Sequence, residues 1–222
     1  MKMKTATIFL VLFVLGASQA SPQPRPKGYG AAKNLPGFLH PYIIGGEVVK
    51  GRQFPGQISL QVGGSHNCGG SIVNENYIVT AAHCSQYQPG ELNVLSGTNS
   101  LVSGGTQHKV LAIHVHEGYN PSDSWHNDVA VMKVDPPFVF DDVTAPVALP
   151  PQGQQSPVGS DATVIGWGLT EDGEIPDDLR MVKIQIFDHD ICNSKYQESD
   201  GLTVYPEQIC ASTEEGDKGS CN

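Results

Sequence analysis

From Gln57 onward, apolar and polar side chains alternate in short runs. Ile58, Leu60 and Val62 alternate with Ser59 and Gln61. Leu92 and Val94 follow the same rule, as do Leu111, Ile113 and Val115, and then Val182, Ile184 and Ile186. A period of two puts each apolar set on one face of a strand. Asp128 to Val134 and Thr163 to Ile165 are nearly continuously apolar, the pattern of strands buried on both sides. Asp188 to Tyr196 is the one segment that suggests a short helix, and Gly and Pro punctuate the chain throughout. The pattern predicts an all-β sandwich or barrel architecture. No internal repeat is visible. The stretch from Asp135-Pro136-Pro137 to Pro157 is rich in Pro and Gln, with no strand pattern beyond Phe138-Val139-Phe140, and marks a boundary between two halves.

The first 42 residues do not share this pattern. Lys2 and Lys4 precede an apolar run from Ile8 to Leu15, and Ser18 and Ala20 supply small residues at −3 and −1 of a cleavage site. This is the composition of a secretory signal peptide over 1–20, its apolar run too short to span a bilayer. Residues 21–42 are rich in Pro, Gly and Lys without periodicity and read as a propeptide. The expected protein is secreted and extracellular. Its 222 residues suffice for one large all-β domain or two small barrels.

Charge divides at the same place. From Ile43 onward lie 8 of the 13 basic residues and all 23 acidic ones, a formal net charge of −15. Such a surface repels nucleic acid and anionic lipid, so neither is an expected partner. Keeping a secreted protein soluble is a sufficient role for it. Five cysteines in a secreted chain should mostly be paired, and an odd number leaves one over.

The chemistry centres on Val79-Thr80-Ala81-Ala82-His83-Cys84. A histidine stands at the end of an apolar run, with small neighbours that let a peptide backbone approach. An acid, Asp128, enters the apolar run Asn127-Asp128-Val129-Ala130, where a carboxylate needs a partner to offset its desolvation. Together with Ile43-Ile44-Gly45-Gly46, Cys68-Gly69-Gly70-Ser71, Gly166-Trp167-Gly168 and Cys210, in this order, these motifs resemble the chymotrypsin/trypsin-like secreted serine proteases. The pattern is nearest to arthropod chymotrypsin-like or crab-collagenase-like members. The resemblance covers residues 43–222.

The resemblance implies two six-stranded antiparallel β-barrels with the active site between them. The first would span 43–140, a linker 141–157, and an incomplete second barrel 158–222. His83 would be the general base and Asp128 the carboxylate that fixes its tautomer, an arrangement whose reference examples come from this same family. Cys68 would pair with Cys84 and Cys192 with Cys210, leaving Cys221 without a partner. Cutting before Ile43 would free an ammonium group that sets the substrate pocket. Tyr42 stands before it where many relatives have Arg or Lys, so the expected activating protease prefers aromatic residues. Gly219 matches the pocket position that holds aspartate in trypsins, which disfavours Arg/Lys recognition. The family's Gly-Asp-Ser-Gly-Gly motif would begin after Asn222, so the chain as given is expected to lack its nucleophile, to be inactive, and to be an incomplete record of a longer protease.

No cofactor is implied. The expected partners are protein or peptide substrates, the activating protease and protein inhibitors, and the expected state is a monomer. The alternative is a catalytically inactive, protease-like binding or regulatory protein; the retained His83 and Asp128 and the unpartnered Cys221 argue against it. His114 and His116 share a strand face, but no further ligand nearby completes a metal set. The segment Gly97 to Gln107, where trypsins often carry a calcium loop, contains no acid. The acidic cluster of Glu171, Asp172, Glu174, Asp177 and Asp178 reads as a solvated loop.

Overall fold

Strand propensity and turn chemistry produce twelve strands and one helix among the described residues. In chain order these are β1 Tyr42–Ile44, β2 Glu47–Val48, β3 Gln57–Val62, β4 Ser65–Asn74, β5 Tyr77–Thr80, β6 Leu92–Ser96, β7 Thr106–Val115, β8 Ala130–Asp135, β9 Asp161–Gly166, β10 Arg180–Ile186, α1 His189–Asp200, β11 Ala211–Ser212 and β12 Gly219–Cys221. The computed structural model describes residues 42–44, 46–170, 173–213 and 219–221, with 42–44 and 219–221 described by their backbone pairing. The expected leader, the expected propeptide up to residue 41, Glu171, Asp172, Asp217 and Lys218 lie outside the described residues.

Six strands close into an antiparallel barrel in the order β3-β4-β5-β8-β7-β6. Closure leaves no free edge. Its interior is one cluster of thirteen buried residues, among them Ile58, Leu60, Ile72, Ile78, Leu92, Val94 and Met132, each with no measurable exposure. Gly70 is required there: a Cβ would meet Val79 O at 2.8 Å and Ile58 Cδ1 at 3.0 Å.

The second half forms an open sheet among the described residues, with β10 paired to β9, β11 and β2. Its cluster is smaller: Ala162, Val164, Val182, Ile184 and Ile186, with Ala211 against it. The sequence from Ile43 is expected in the first barrel, yet β1 and β2 pair with strands of the second half: β2 with β10 and β1 with β12. A third cluster of Val49, Trp167 and Leu179, packed against Phe54, Leu101 and Met181, fills the seam between halves.

Three expectations need correction. In β7 the ladder slips between Val110 and Ala112, a bulge that reverses the phase. His108 and Val110 are therefore buried, whereas Leu111 is 53% exposed and only Ile113 of the predicted apolar set reaches the barrel core. β8 begins at Ala130, not Asp128, and alternates, with Lys133 and Asp135 exposed. The alternation of β3 is real, but its polar face is buried too: Gln57, Ser59 and Gln61 lie under neighbouring segments, with Ser59 bonded to His66 and Gln61 to Gln107. The predicted helix exists and runs four residues further, to Asp200, from an Asp188 cap to a left-handed Gly201.

Candidate active site

β5 and β8 are neighbours, and their register decides what meets at their ends. Thr80 pairs with Ala130. His83 lies three residues beyond Thr80 and Asp128 two residues before Ala130, so both emerge at the same end of the barrel. The Thr80 hydroxyl donates to Gly69 O at 2.7 Å, and the chain then enters a 3-10 turn, Ala82–Ser85. The Cys84 N–H closes on Ala81 O and the Ser85 hydroxyl on Ala82 O. On the other side Asn127 takes a left-handed φ of 56°, and its side-chain amide donates to Gly118 O at 3.1 Å. That turn directs Asp128 inward.

The two side chains are bonded twice. His83 Nδ1 lies 2.7 Å from Asp128 Oδ2, and the His83 backbone N–H donates to Asp128 Oδ1 at 2.8 Å. Asp128 is 3% exposed and His83 8%. A carboxylate this deep needs its charge offset, and two donors on two oxygens do so. The bond at Nδ1 keeps the proton of the neutral imidazole on that nitrogen and leaves the lone pair on Nε2. Nε2 lies 3.4 Å from Cys84 Sγ. That sulfur is in a disulfide and carries no proton, so it cannot donate to the lone pair. A base oriented by a buried carboxylate, with its accepting nitrogen uncommitted among the described residues, is suited to taking a proton from a weak acid such as a hydroxyl.

Cys68 is bonded to Cys84 and Cys192 to Cys210. The first disulfide ties β4 to the turn that carries His83. Donor atoms of Cys68, His83 and Cys84 lie within 4.8 Å of one another, but both sulfurs are spent on each other and offer no thiolate to a metal. His114 and His116 are exposed at the end of β7, and among the described residues no third ligand joins them. Ile43 and Gly219 come from opposite ends of the sequence yet belong to one ladder: Ile43 pairs with Ser220 and Ile44 with Gly219.

Tyr119 beside the pair, and two histidines elsewhere in the molecule, carry no sequence signal. Tyr119 faces the site closely enough that, after burial, the Asp128 charge also raises its phenol above the ordinary value. His66, with Nδ1 2.7 Å from the Ser59 hydroxyl and its ring tilted against Trp167, is pushed down to about 4 by burial. His108 is buried with both ring nitrogens engaged, by Ser96 and Pro136 O, and is a satisfied core histidine.

The Trypsin family model matches residues 43–222. The chain belongs to the trypsin family of chymotrypsin-like serine proteases. Trypsin alpha-4 of Lucilia cuprina is 40% identical over 173 residues, covering 77% of this chain and 66% of the relative. The trypsin of Simulium vittatum is 33% identical over 219 residues, covering 96% and 82%. Human heparin binding protein superposes with a TM-score of 0.67 at 24% identity, over 80% of this chain and 78% of its own, a likeness of fold alone. The closed six-stranded barrel agrees with the trypsin fold, and the second barrel is not clearly closed among the described residues. Among the described residues no helix is long and apolar enough to cross a membrane.

Proposed function

We propose that this trypsin-family chain is a secreted zymogen of a serine endopeptidase, with His83 as general base and Asp128 as its orienting carboxylate. The observation that carries the reading is the doubly bonded, buried His83–Asp128 pair. On this reading a serine hydroxyl gives its proton to His83 Nε2 as its oxygen attacks the scissile carbonyl. Asp128 holds the Nδ1 proton and stabilises the imidazolium. The imidazolium then protonates the leaving amine, and water repeats the cycle on the acyl-enzyme.

Ile43, freed by cleavage after Tyr42, is the activated N-terminus, and Gly219 contributes to a pocket without an acid at that position. Aromatic or apolar side chains, not Arg or Lys, are the favoured substrates. Labelling by a serine-directed fluorophosphonate tests the reading. The protein should label after activation, and Asp128→Asn should slow that labelling. An activated protein that does not label would overturn the reading and favour the catalytically inactive alternative. N-terminal sequencing of the secreted, activated protein should begin at Ile43.

A further inference from the structure

The loop that leads into Asp128 is strained and is held from outside its own barrel. Ser124, Trp125 and Asn127 have φ of 51°, 52° and 56°, three left-handed non-glycine residues within four positions. L residues leave this conformation unless their surroundings hold them there. The loop's internal bonds close its two ends: Asn120 bridges His126, and Asn127 Nδ2 donates to Gly118 O. Its tip is gripped by the second half of the chain. The Tyr205 hydroxyl donates to Asp123 Oδ1 at 2.7 Å, the Tyr205 ring stacks on His126 at 3.8 Å with planes 9° apart, and Thr203 N–H donates to Ser124 Oγ at 2.9 Å.

Tyr205 is itself fixed on every side. Its N–H donates to Gln208 Oε1 at 2.7 Å, and its carbonyl lies 3.0 Å from His189 Nε2, one residue past the α1 cap. Next to it, Val204 N–H donates to Asn193 Oδ1, on the turn of α1 that holds the Cys192–Cys210 disulfide. The Asp123 carboxylate raises the Tyr205 phenol above its ordinary value, so the hydroxyl stays a donor throughout the neutral range. A rigid post on one half therefore clamps a strained loop on the other, and Asp128 is the second residue after His126.

We propose that Tyr205 is a positioning residue for the His83–Asp128 pair: through Asp123 and His126 it holds the loop whose release would loosen Asp128 from His83. The proposal rests on the reading of that pair as the catalytic base and its carboxylate. Neither Tyr205 nor His126 touches the pair, and their effect is transmitted along the backbone from 123 to 128.

The His83 backbone amide, which donates to Asp128 Oδ1, is a direct reporter in the 222-residue chain. In native-state hydrogen exchange, Tyr205→Phe removes the hydroxyl bond and keeps the stack, and His126→Ala removes the stack. Each should speed exchange at His83 by about five- to tenfold, while the amides of Leu60 in the barrel and Ile184 in the sheet keep their wild-type rates. The Nδ1 proton of His83 should broaden in the same variants. Unchanged exchange at His83 in both variants overturns the proposal. Equal acceleration at Leu60 and Ile184 also overturns it, because Tyr205 would then be a general structural residue. Asp128→Ala separates the two readings: if it leaves His83 exchange unchanged, the pair itself is absent and the proposed function fails independently of Tyr205.

Discussion

The closed barrel and the open sheet solve the same packing problem with unequal means. In the barrel every strand has two neighbours and one interior, and thirteen buried residues form a single cluster. In the sheet, among the described residues, five buried residues form the core, β10 takes β2 from the chain's N-terminal side as a partner, and a separate seam around Trp167 covers the flank. A buried carboxylate is costly wherever its partners can move away and leave its charge uncompensated. The barrel places Asp128 and His83 at the ends of two adjacent strands that cannot move apart without opening a ladder. The sheet contributes what can be built from outside: a post, a seam and a backbone ladder between β1 and β12.

The largest break in that comparison is at the pair. On the proposed reading of the pair, Asp128→Asn in the activated protein should leave the fold intact and lower kcat by about 10⁴, the loss that the orienting carboxylate of the family's reference protease shows. A loss of less than about tenfold, measured on a purified and correctly activated variant, would remove Asp128 from the mechanism. Next comes the packing contrast. Leu60→Ala opens a cavity in an interior that cannot collapse and should cost about 4 kcal/mol, whereas Ile184→Ala, in the smaller core, should cost about 2 kcal/mol. Urea unfolding of both variants measures the difference, and equal losses would mean the sheet is as tightly enclosed as the barrel.

The two disulfides sharpen the contrast because their loops are almost the same length. Cys68–Cys84 spans 16 residues and Cys192–Cys210 spans 18. Chain entropy alone gives each about 3 kcal/mol. Cys68 and Cys84 also belong to the barrel core, while Cys192 and Cys210 are only half-buried. Replacing the first pair by alanine should therefore cost more than replacing the second, and a mild thiol should reduce the second first. Mass spectrometry after timed alkylation reads the order of reduction.

What could be read from the sequence follows the same division. The meeting of His83 and Asp128 was legible because a motif fixes residue types at the ends of β5 and β8, and the register of those strands then brings the two together. The phase of β7 was not legible: the bulge after Val110 is set by pairing to β8, and nothing local announces that Leu111 turns outward. Nor was the burial of Gln57, Ser59 and Gln61, since polar side chains on an alternating strand look solvated until their cover is known. Tyr205 was least visible of all. Its partner Asp123 lies 82 residues away, and neither residue belongs to a motif.

His66 stands where the halves meet, on β4 with its ring against Trp167, and it titrates across that seam. Its ordinary value of 6.5 is lowered to about 4 in the folded chain by burial. Above pH 6.5 the ring is neutral in both states and its contribution is fully present. As pH falls from 6.5 toward 4, the unfolded chain takes up a proton that the folded one refuses, and stability drops. The loss should reach about 1–3 kcal/mol, discounted for the part of the ring edge near solvent. Urea midpoints at pH 7 and pH 4.5, compared between the wild type and His66→Gln, isolate it. A wild-type profile no steeper than the variant's would show that the ring already protonates freely in the fold.

The smallest effect belongs to α1, and its smallness is the point. No residue of this helix is buried, so core packing does not hold it. Its order comes from the Cys192–Cys210 bond, the Gly201 terminus and the Asp188 cap, whose carboxylate accepts from the N–H groups of Asp190 and Ile191 at 3.0 Å each. Asp188→Ala removes the Oδ1 that accepts from both N–H groups at the helix N-terminus and should cost about 1 kcal/mol. Hydrogen exchange should quicken from Asp190 to Ser194 while the amides of the barrel strands keep their rates, because no strand of the barrel pairs with this helix. If Asp188→Ala destabilised the chain as much as Leu60→Ala, the two halves would unfold as one cooperative unit, and the barrel's self-sufficiency would have to be abandoned.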